Sequence, residues 1–258
     1  MAIIILASSF NSSARDENDN QISHVIPDFN NFLSNIKKYT PSFNRVVIVA
    51  NDPTAFEIND MRGGLLFKSL EMSGLKFKQQ IILDDRNKKD ATAIINGADV
   101  IFLSGGKLGC QLEFFAEIGL RDIMKNHKGL FIGGSAGAMN LCETVFEYPE
   151  FPEDIDNRTE EKYFIKGLGF HNEILIPHFD IDTMTLGHTE GIDVVKDYIL
   201  PKSHGREFIA FPDDSYILLD GGRANYFGTF YKVKDGSILT DTRLDTCTAK
   251  INFKKGGK

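Results

Sequence analysis

Cysteine is scarce in this chain of 258 residues, and the few that occur follow no pairing pattern. Cys110, Cys142 and Cys247 are odd in number and show neither C-x-x-C spacing nor the spacing of zinc ligands. They argue against a disulfide scaffold and fit a reducing cytoplasm, where such cysteines serve as packing residues. The sequence therefore predicts a cytoplasmic protein.

Long hydrophobic runs and an excess of positive charge are also missing. No apolar run approaches the ~20 residues that a membrane-spanning helix needs, and residues 1–7 lack the positively charged start of a signal peptide. A formal net charge of −7 provides no basic surface for nucleic acid or anionic lipid. The sequence thus predicts a soluble protein that binds neither nucleic acid nor membrane, and it carries no signal for an oligomeric state.

Short runs of apolar and β-branched residues predict buried strands, which alternate with helical segments. The predicted strands are residues 2–7, 46–50, 80–83, 100–103, 130–133 and 174–177. The predicted helices are residues 56–72, about 111–124 and about 190–200, the last ended by Pro201. This alternation indicates an α/β fold with a mostly parallel central sheet and helices on both faces.

The C-terminal part of the sequence differs, because strands follow one another there without helices between them. Residues 208–219, 223–233 and 237–239 predict consecutive strands, which we expect to extend the same sheet in antiparallel fashion. No Pro/Ser-rich linker marks a boundary. The sequence predicts a single α/β domain over residues 1–258, with a C-terminal β extension at about 220–250.

The strongest local motif is Gly-x-Ser-x-Gly, formed by Gly133, Ser135 and Gly137 directly after an apolar strand. The neighbours must be small because the serine lies in a tight bend and its hydroxyl has to project towards a base and a substrate. We therefore predict Ser135 as a nucleophile and the Ala136 N–H as a donor to an oxyanion. The alternative is a glycine-rich turn that binds phosphate or only packs tightly.

A second glycine turn, residues 104–106, follows the predicted strand at residues 100–103. Glycine lets the main chain approach a substrate closely, so Gly105 or Gly106 can offer an N–H to the same oxyanion. The alternative is an ordinary turn between a strand and a helix.

A serine nucleophile needs a base, and His178 is the only histidine that ends a strongly apolar strand. Asp213 or Asp214, after another apolar stretch, can orient this base; the alternatives are a structural histidine and a Pro-Asp-Asp turn. A metal site would draw on the neighbouring side chains of His178, Asp180, Asp182 and His188. Their spacing matches no specific metal motif, so neither a metal nor an organic cofactor is predicted.

Together these motifs resemble the aspartyl dipeptidase (peptidase E) family of serine peptidases, which includes cyanophycinases. The matching segments are residues 104–106, 111–112, 132–138, 176–179 and 211–213. The resemblance implies a class I glutamine-amidotransferase-like fold and a serine-type peptidase acting on a small peptide. It implies Ser135 as nucleophile and His178 as base, with Asp213 at the position of the acid. It further implies Gly106 and Ala136 as the oxyanion donors.

Three departures from the family bear on the substrate. Asp213 replaces a glutamate, residues 107–109 replace a polar turn, and the stretch 187–196 has no arginine to pair with an aspartyl substrate. The stretch 187–196 offers only Lys196 as a cation, and Lys107 is the other candidate; neither has the bidentate geometry of arginine. The acidic stretch 147–162 disfavours acidic substrates if it borders the cleft. The prediction is an exopeptidase or dipeptidase that cleaves after neutral or basic residues at least as well as after aspartate.

Two other functions are alternatives to a peptidase. A non-catalytic binding protein that retains the cleft is the alternative if the acid is misplaced. A glutamine amidotransferase on the same fold would need cysteine at the position of Ser135, which argues against it.

Overall fold

A computed structural model describes residues 2–150, 152, 155, 160–187, 189, 191–239 and 249–250. The strands in chain order are β1 (Ile3–Ala7), β2 (Ser13–Arg15), β3 (Gln21–Ser23), β4 (Arg45–Val49), β5 (Gln79–Leu83), β6 (Val100–Leu103), β7 (Leu130–Gly134), β8 (Thr144–Phe146), β9 (Phe164–Lys166), β10 (Ile174–Ile176), β11 (Phe179–Asp180), β12 (Thr185–Leu186), β13 (Glu207–Ala210), β14 (Tyr216–Asp220), β15 (Arg223–Phe227), β16 (Tyr231–Lys234), β17 (Ser237–Leu239) and β18 (Ala249–Lys250).

The helices in chain order are α1 (Phe32–Tyr39), α2 (Phe56–Met72), α3 (Ala91–Asn96), α4 (Leu108–Glu117), α5 (Leu120–Asn126), α6 (Ala136–Asn140), α7 (Glu160–Tyr163) and α8 (Leu200–Lys202). Short 3₁₀ turns cover Phe29–Asn31 and Lys88–Asp90, and a π-helical turn covers Val195–Ile199. No helix within the described ranges is both long and apolar enough to cross a membrane.

An eight-stranded sheet forms the centre, in the order β18-β15-β14-β1-β7-β6-β4-β5. The strands from β1 to β5 in this order are parallel, whereas β14, β15 and β18 pair antiparallel. This confirms the predicted fold class. The parallel strands consist largely of apolar residues because helices cover both faces of the sheet.

Alternate residues of each central strand enter two different cores. In β7, Phe131 faces one core with α3, α4, α5 and α6, while Leu130 and Ile132 face the other with α1 and α2. This alternation follows from the two-residue period of a strand. The parallel strands therefore end together at one edge, and the loops after them meet there.

The C-terminal strands divide between two sheets, which corrects one expectation. β14 and β15 extend the central sheet as predicted, but β13, β16 and β17 form a second sheet with β10, in the order β10-β13-β16-β17. The predicted strand at 208–219 is broken by a turn at Pro212, where Ser215 N–H donates to the Pro212 carbonyl. Because proline cannot continue a strand ladder, the chain changes sheets at this turn.

Of the three predicted helices, one agrees with the structure and the other two differ from it. Residues 56–72 form α2 as predicted. The segment 111–124 divides into α4 and α5 at Gly119, whose φ of +65° is left-handed and ends the first helix. In the third segment, residue 190 lies outside the described ranges. Pro201 lies within α8 instead of ending the helix, because a missing N–H is tolerated in a first turn.

Candidate active site

Ser135 lies between β7 and α6 in a backbone conformation that is unusual for serine, with φ 52° and ψ −120°. The flanking glycines make this bend possible. A side chain on Gly137 would collide with the Leu103 carbonyl, and one on Gly133 would lie 2.6 Å from the Gly137 carbonyl. Such strained residues persist where the surrounding structure enforces them, which is frequent in active sites. The bend thus holds the Ser135 side chain out from the sheet edge.

His178 follows β10, and Asp213 follows β13. These strands pair in parallel, with Ile176 opposite Ala210, so the loops after them leave the second sheet side by side. As a result His178 Nδ1 lies 2.6 Å from Asp213 Oδ1. This leaves His178 Nε2 as the nitrogen that can act towards a serine, in the arrangement of a base oriented by an acid.

Asp214, the rival for the role of the acid, has other partners. Its carboxylate accepts the Ser215 hydroxyl at 3.2 Å, and its carbonyl accepts an N–H of the Asn30 side chain at 2.7 Å. The structure therefore brings Asp213, and not Asp214, to the His178 ring.

The turn after β6 is fixed by a buried polar side chain. Asn51 Oδ1 accepts the Lys107 N–H at 2.9 Å, and Asn51 Nδ2 donates to the Lys107 carbonyl at 3.0 Å. Gly106 lies beside this pair with φ +139°, and a side chain on it would collide with Asn51. The position therefore requires glycine, and Gly106 lines the cleft with its main chain.

A second polar contact ties the same turn to the helix after Ser135. Gln111 Nε2 donates to the Ser104 carbonyl at 2.6 Å, and Asn140 Nδ2 of α6 donates to Gln111 Oε1 at 3.0 Å. Both amide side chains are fully buried. Since buried amides that hydrogen-bond each other resist displacement, they hold the glycine turn and the nucleophile turn at a fixed separation.

Main-chain donors without a protein acceptor lie at this edge. Within the described ranges, they include the N–H groups of Gly105, Gly106 and Ala136. Gly105 lies close to the nucleophile, because a Cβ on it would be 3.0 Å from Ser135 Cβ. Unpaired N–H groups beside a serine are the feature that an oxyanion site needs.

A cleft of about 490 Å³ joins these parts, with Ser135, His178 and Gly106 in its lining. Two charged side chains also line it: Arg62 of α2 and Glu150. Glu150 belongs to the acidic stretch 147–162, of which residues 151, 153–154 and 156–159 lie outside the described residues. A cleft of this size suits a small molecule more than an extended chain.

The alternative metal ligands do not converge in the described part of the chain. His178 faces Asp213, and the Asp180 carboxylate accepts the main-chain N–H groups of Asp182 and Thr183 in its own turn. His188 lies outside the described residues.

Sequence reasoning missed two residues of this region. Ser8 directly follows β1 and contacts Asp213, and Arg62 reaches the cleft from α2. Ser8 stands in an unremarkable serine-rich stretch, so only its position after a central strand hints at a role. Arg62 lies in the first half of a helix, on a face that the sequence alone does not direct towards the cleft.

The fold and this site together define the class of hydrolases that use serine as nucleophile. The model of peptidase family S51 matches residues 5–227, and the chain belongs to this family. It is a serine-type peptidase, as its resemblance to the peptidase E family predicted.

Solved structures agree in fold. A crystal structure of a peptidase from an acI-B1 Actinobacterium matches with a TM-score of 0.63 at 15% identity, covering 96% of this chain and 97% of the other. A candidate peptidase E protein from Listeria monocytogenes EGD-e matches with a TM-score of 0.54 at 16% identity, covering 89% and 99%. Comparison with curated proteins gave no match.

Proposed function

We propose that this chain is a dipeptidase or exopeptidase that cleaves a small peptide through an acyl-enzyme on Ser135. The observation that carries the proposal is the contact of 2.6 Å between His178 and Asp213 beside a cleft that Ser135 also lines. In this proposal Ser135 is the nucleophile, His178 the base and Asp213 the acid that orients it.

The first half of the reaction forms the acyl-enzyme. His178 Nε2 takes the proton of the Ser135 hydroxyl while Oγ attacks the carbonyl carbon of the scissile amide. The carbonyl oxygen becomes an anion, which the N–H groups of Gly106 and Ala136 stabilise. The intermediate then collapses, the C–N bond breaks, and the protonated His178 gives its proton to the departing amine.

The second half returns the enzyme to its starting state. Water enters the place of the amine, His178 removes a proton from it, and the hydroxide attacks the ester carbonyl on Ser135. Collapse of this intermediate breaks the bond to Oγ, which recovers its proton from His178. Asp213 accepts the Nδ1–H of His178 throughout and stabilises the positive ring, so the chemistry needs no cofactor.

The proposal is tested by removing the Ser135 hydroxyl. Ser135→Ala should abolish hydrolysis of a dipeptide library while the protein stays folded, because loss of the nucleophile costs ~10³-fold or more in rate. Labelling by a fluorophosphonate probe should locate to Ser135 by mass spectrometry and disappear in the variant. Full activity in folded Ser135→Ala protein would show that another group performs the reaction.

The proposed setting is a reducing cytoplasm, with small peptides as the partners and neither nucleic acid nor membrane. The negative net charge and the unpaired cysteine pattern support it. We also propose that residues 1–258 act as one peptidase E-like domain with a C-terminal β extension at about 220–250. The pairing of β14 with β1 supports this, because it ties C-terminal strands to the centre of the sheet.

A further inference from the structure

Ser8, the residue directly after β1, contacts all three residues of the proposed catalytic group. Its carbonyl accepts the Ser135 N–H at 3.0 Å. Its hydroxyl accepts the His178 N–H at 2.7 Å and donates to Asp213 Oδ1 at 2.8 Å. Ser8 itself is fully buried. We propose that Ser8 is a positioning residue that holds the acid and the base in register with the nucleophile, and this inference rests on the function proposed above.

The direction of the hydroxyl proton follows from its partners. A main-chain N–H can only donate, so the Ser8 oxygen is the acceptor towards His178. The Ser8 proton is then directed to Asp213, whose carboxylate can only accept when ionised. The Ser8 hydroxyl therefore joins the backbone of the base, His178, to the side chain of the acid, Asp213. These two partners allow only one direction for the hydroxyl proton.

The Asp213 side chain needs such an anchor. It is 51% exposed, whereas the His178 side chain is 18% exposed. Asp213 Oδ1 receives both the Ser8 hydroxyl and His178 Nδ1. Two donors on a single oxygen fix the carboxylate more narrowly than one, and charge-assisted bonds of this kind are stronger than neutral ones. Without Ser8, the carboxylate could turn towards water and lose its alignment with the ring.

His178 needs an anchor of its own, because its backbone is left-handed with φ 61°. This conformation is uncommon for a residue with a side chain and persists only where neighbouring contacts enforce it. The bond from the His178 N–H to the Ser8 hydroxyl is such a contact. Ser8 thus supports both the unusual backbone of the base and the orientation of its acid.

The test is a double-mutant cycle between Ser8→Ala and Asp213→Ala. Ser8→Ala alone should lower kcat by roughly ten- to a hundredfold, which lies within the range of coupling between groups in contact. It should leave KM within about threefold because the buried Ser8 does not touch substrate. In the Asp213→Ala background, Ser8→Ala should lower kcat by a clearly smaller factor, because only the contact with the His178 N–H is then left to remove. Equal losses of kcat in both backgrounds would overturn the proposal, because they would show that Ser8 does not act through Asp213.

Ser203→Ala is the matched control. Ser203 is also fully buried; its hydroxyl accepts the Gly236 N–H at 2.8 Å and donates to the Leu200 carbonyl at 2.7 Å. It should lose similar stability but keep kcat. If Ser8→Ala does not fold, Ser8→Cys replaces it in the cycle, since a thiol of similar size is only a weak donor. If the wild type is active and folded Ser8→Ala protein has the same kcat, the role of Ser8 is overturned and the proposed function stands. If the wild type hydrolyses no peptide, the proposed function itself is overturned.

Discussion

At the scale of single residues, the charges of the cleft bear on which peptides the enzyme accepts. Arg62 places a guanidinium in the lining of the cleft that contains Ser135, and the described part of the chain gives it no ion-pair partner. Lys107 and Lys196, the cations considered from sequence, are not among the described lining residues. Arg62 is therefore the cation that a substrate carboxylate would meet.

We predict that Arg62 provides a modest preference for acidic substrates, which revises the expectation from sequence that neutral or basic residues are cleaved at least as well as aspartate. The side chain is exposed, and an ion pair in contact with water contributes about 0–1 kcal/mol, which corresponds to at most roughly fivefold. Measured kcat/KM for Asp-X should therefore exceed that for matched Asn-X by no more than about fivefold. Arg62→Gln should reduce this ratio to about one.

The control for this prediction is Lys68→Gln, which removes another exposed cation of α2 outside the lining of the cleft. It should leave the ratio unchanged. Ala-X and Arg-X dipeptides complete the set, because they report on neutral and basic side chains. A hundredfold preference for Asp-X in the wild type would contradict the prediction.

The residues of the site differ in how far the sequence reveals them. Ser135 could be predicted because the small neighbours that it requires lie within the five consecutive residues of the Gly-x-Ser-x-Gly motif. Ser8 could not, because its partner Asp213 lies 205 positions away along the chain. The choice between Asp213 and Asp214 depends on the orientation of the turn at Pro212, which directs one of the two carboxylates to the His178 ring. The sequence does not reveal this orientation, because the two side chains are identical and adjacent.

At the scale of elements, α2 contains two adjacent glycines with opposite surroundings. A Cβ on Gly64 would meet nothing within 4 Å, whereas one on Gly63 would lie 2.5 Å from Ile82 Cδ1 and 2.8 Å from its Cγ1. Alanine is favoured over glycine in a helix interior by ~0.5–1 kcal/mol. The pair thus separates helix propensity from packing against β5.

We predict that Gly64→Ala raises the free energy of unfolding by about 0.5–1 kcal/mol. Gly63→Ala should lower it by about 1 kcal/mol, because displacing Ile82 costs more than the helix gains. Urea unfolding of the two variants measures both values, and each variant serves as the control of the other. Stabilisation by Gly63→Ala would mean that Ile82 adapts without cost.

The bounds of an element agree with those predicted from sequence where the residues that determine them are close together in the chain. The ends of α2 agree with prediction because its apolar spacing and Gly74 are adjacent in sequence. The division of the C-terminal strands between two sheets was not predicted, because β13 and β14 have similar apolar composition. Which sheet each joins is decided by pairing with β10 and with β1, both distant in sequence.

At the scale of the whole molecule, the half-buried carboxyl group of Glu173 links stability to pH. Burial of Glu173 by itself raises its pKa, but hydrogen bonds from His171 and Tyr226 and the charge of Lys232 outweigh burial and hold the pKa below its ordinary value of 4.5. Tyr226 donates to Glu173 Oε2 at 2.7 Å, and His171 Nε2 lies 2.9 Å from it. A lowered pKa in the folded state stabilises the fold above the pKa of the unfolded state, and this stabilisation is lost as pH falls through the folded value.

We predict that Glu173→Gln destabilises the protein more at pH 7 than at about pH 3, because the stabilisation by the ionised carboxylate diminishes as pH falls. Urea unfolding at both pH values measures the two differences. Tyr226→Phe removes one of the two donors and should give a smaller effect with the same pH dependence. An equal loss for Glu173→Gln at both pH values would show that its charge does not contribute.

The central position of β1 in the sheet has a consequence for when the protein can fold during its synthesis. Ile3 pairs with Leu130 and Ile4 with Leu219, so a strand made early by the ribosome completes its pairing only after β14 has been translated. Such a high contact order slows folding, because long loops must close before the pairing stabilises them. Ser8 meets Asp213 only at that late stage. We therefore expect a nascent chain that stops short of β14 to lack an assembled catalytic group.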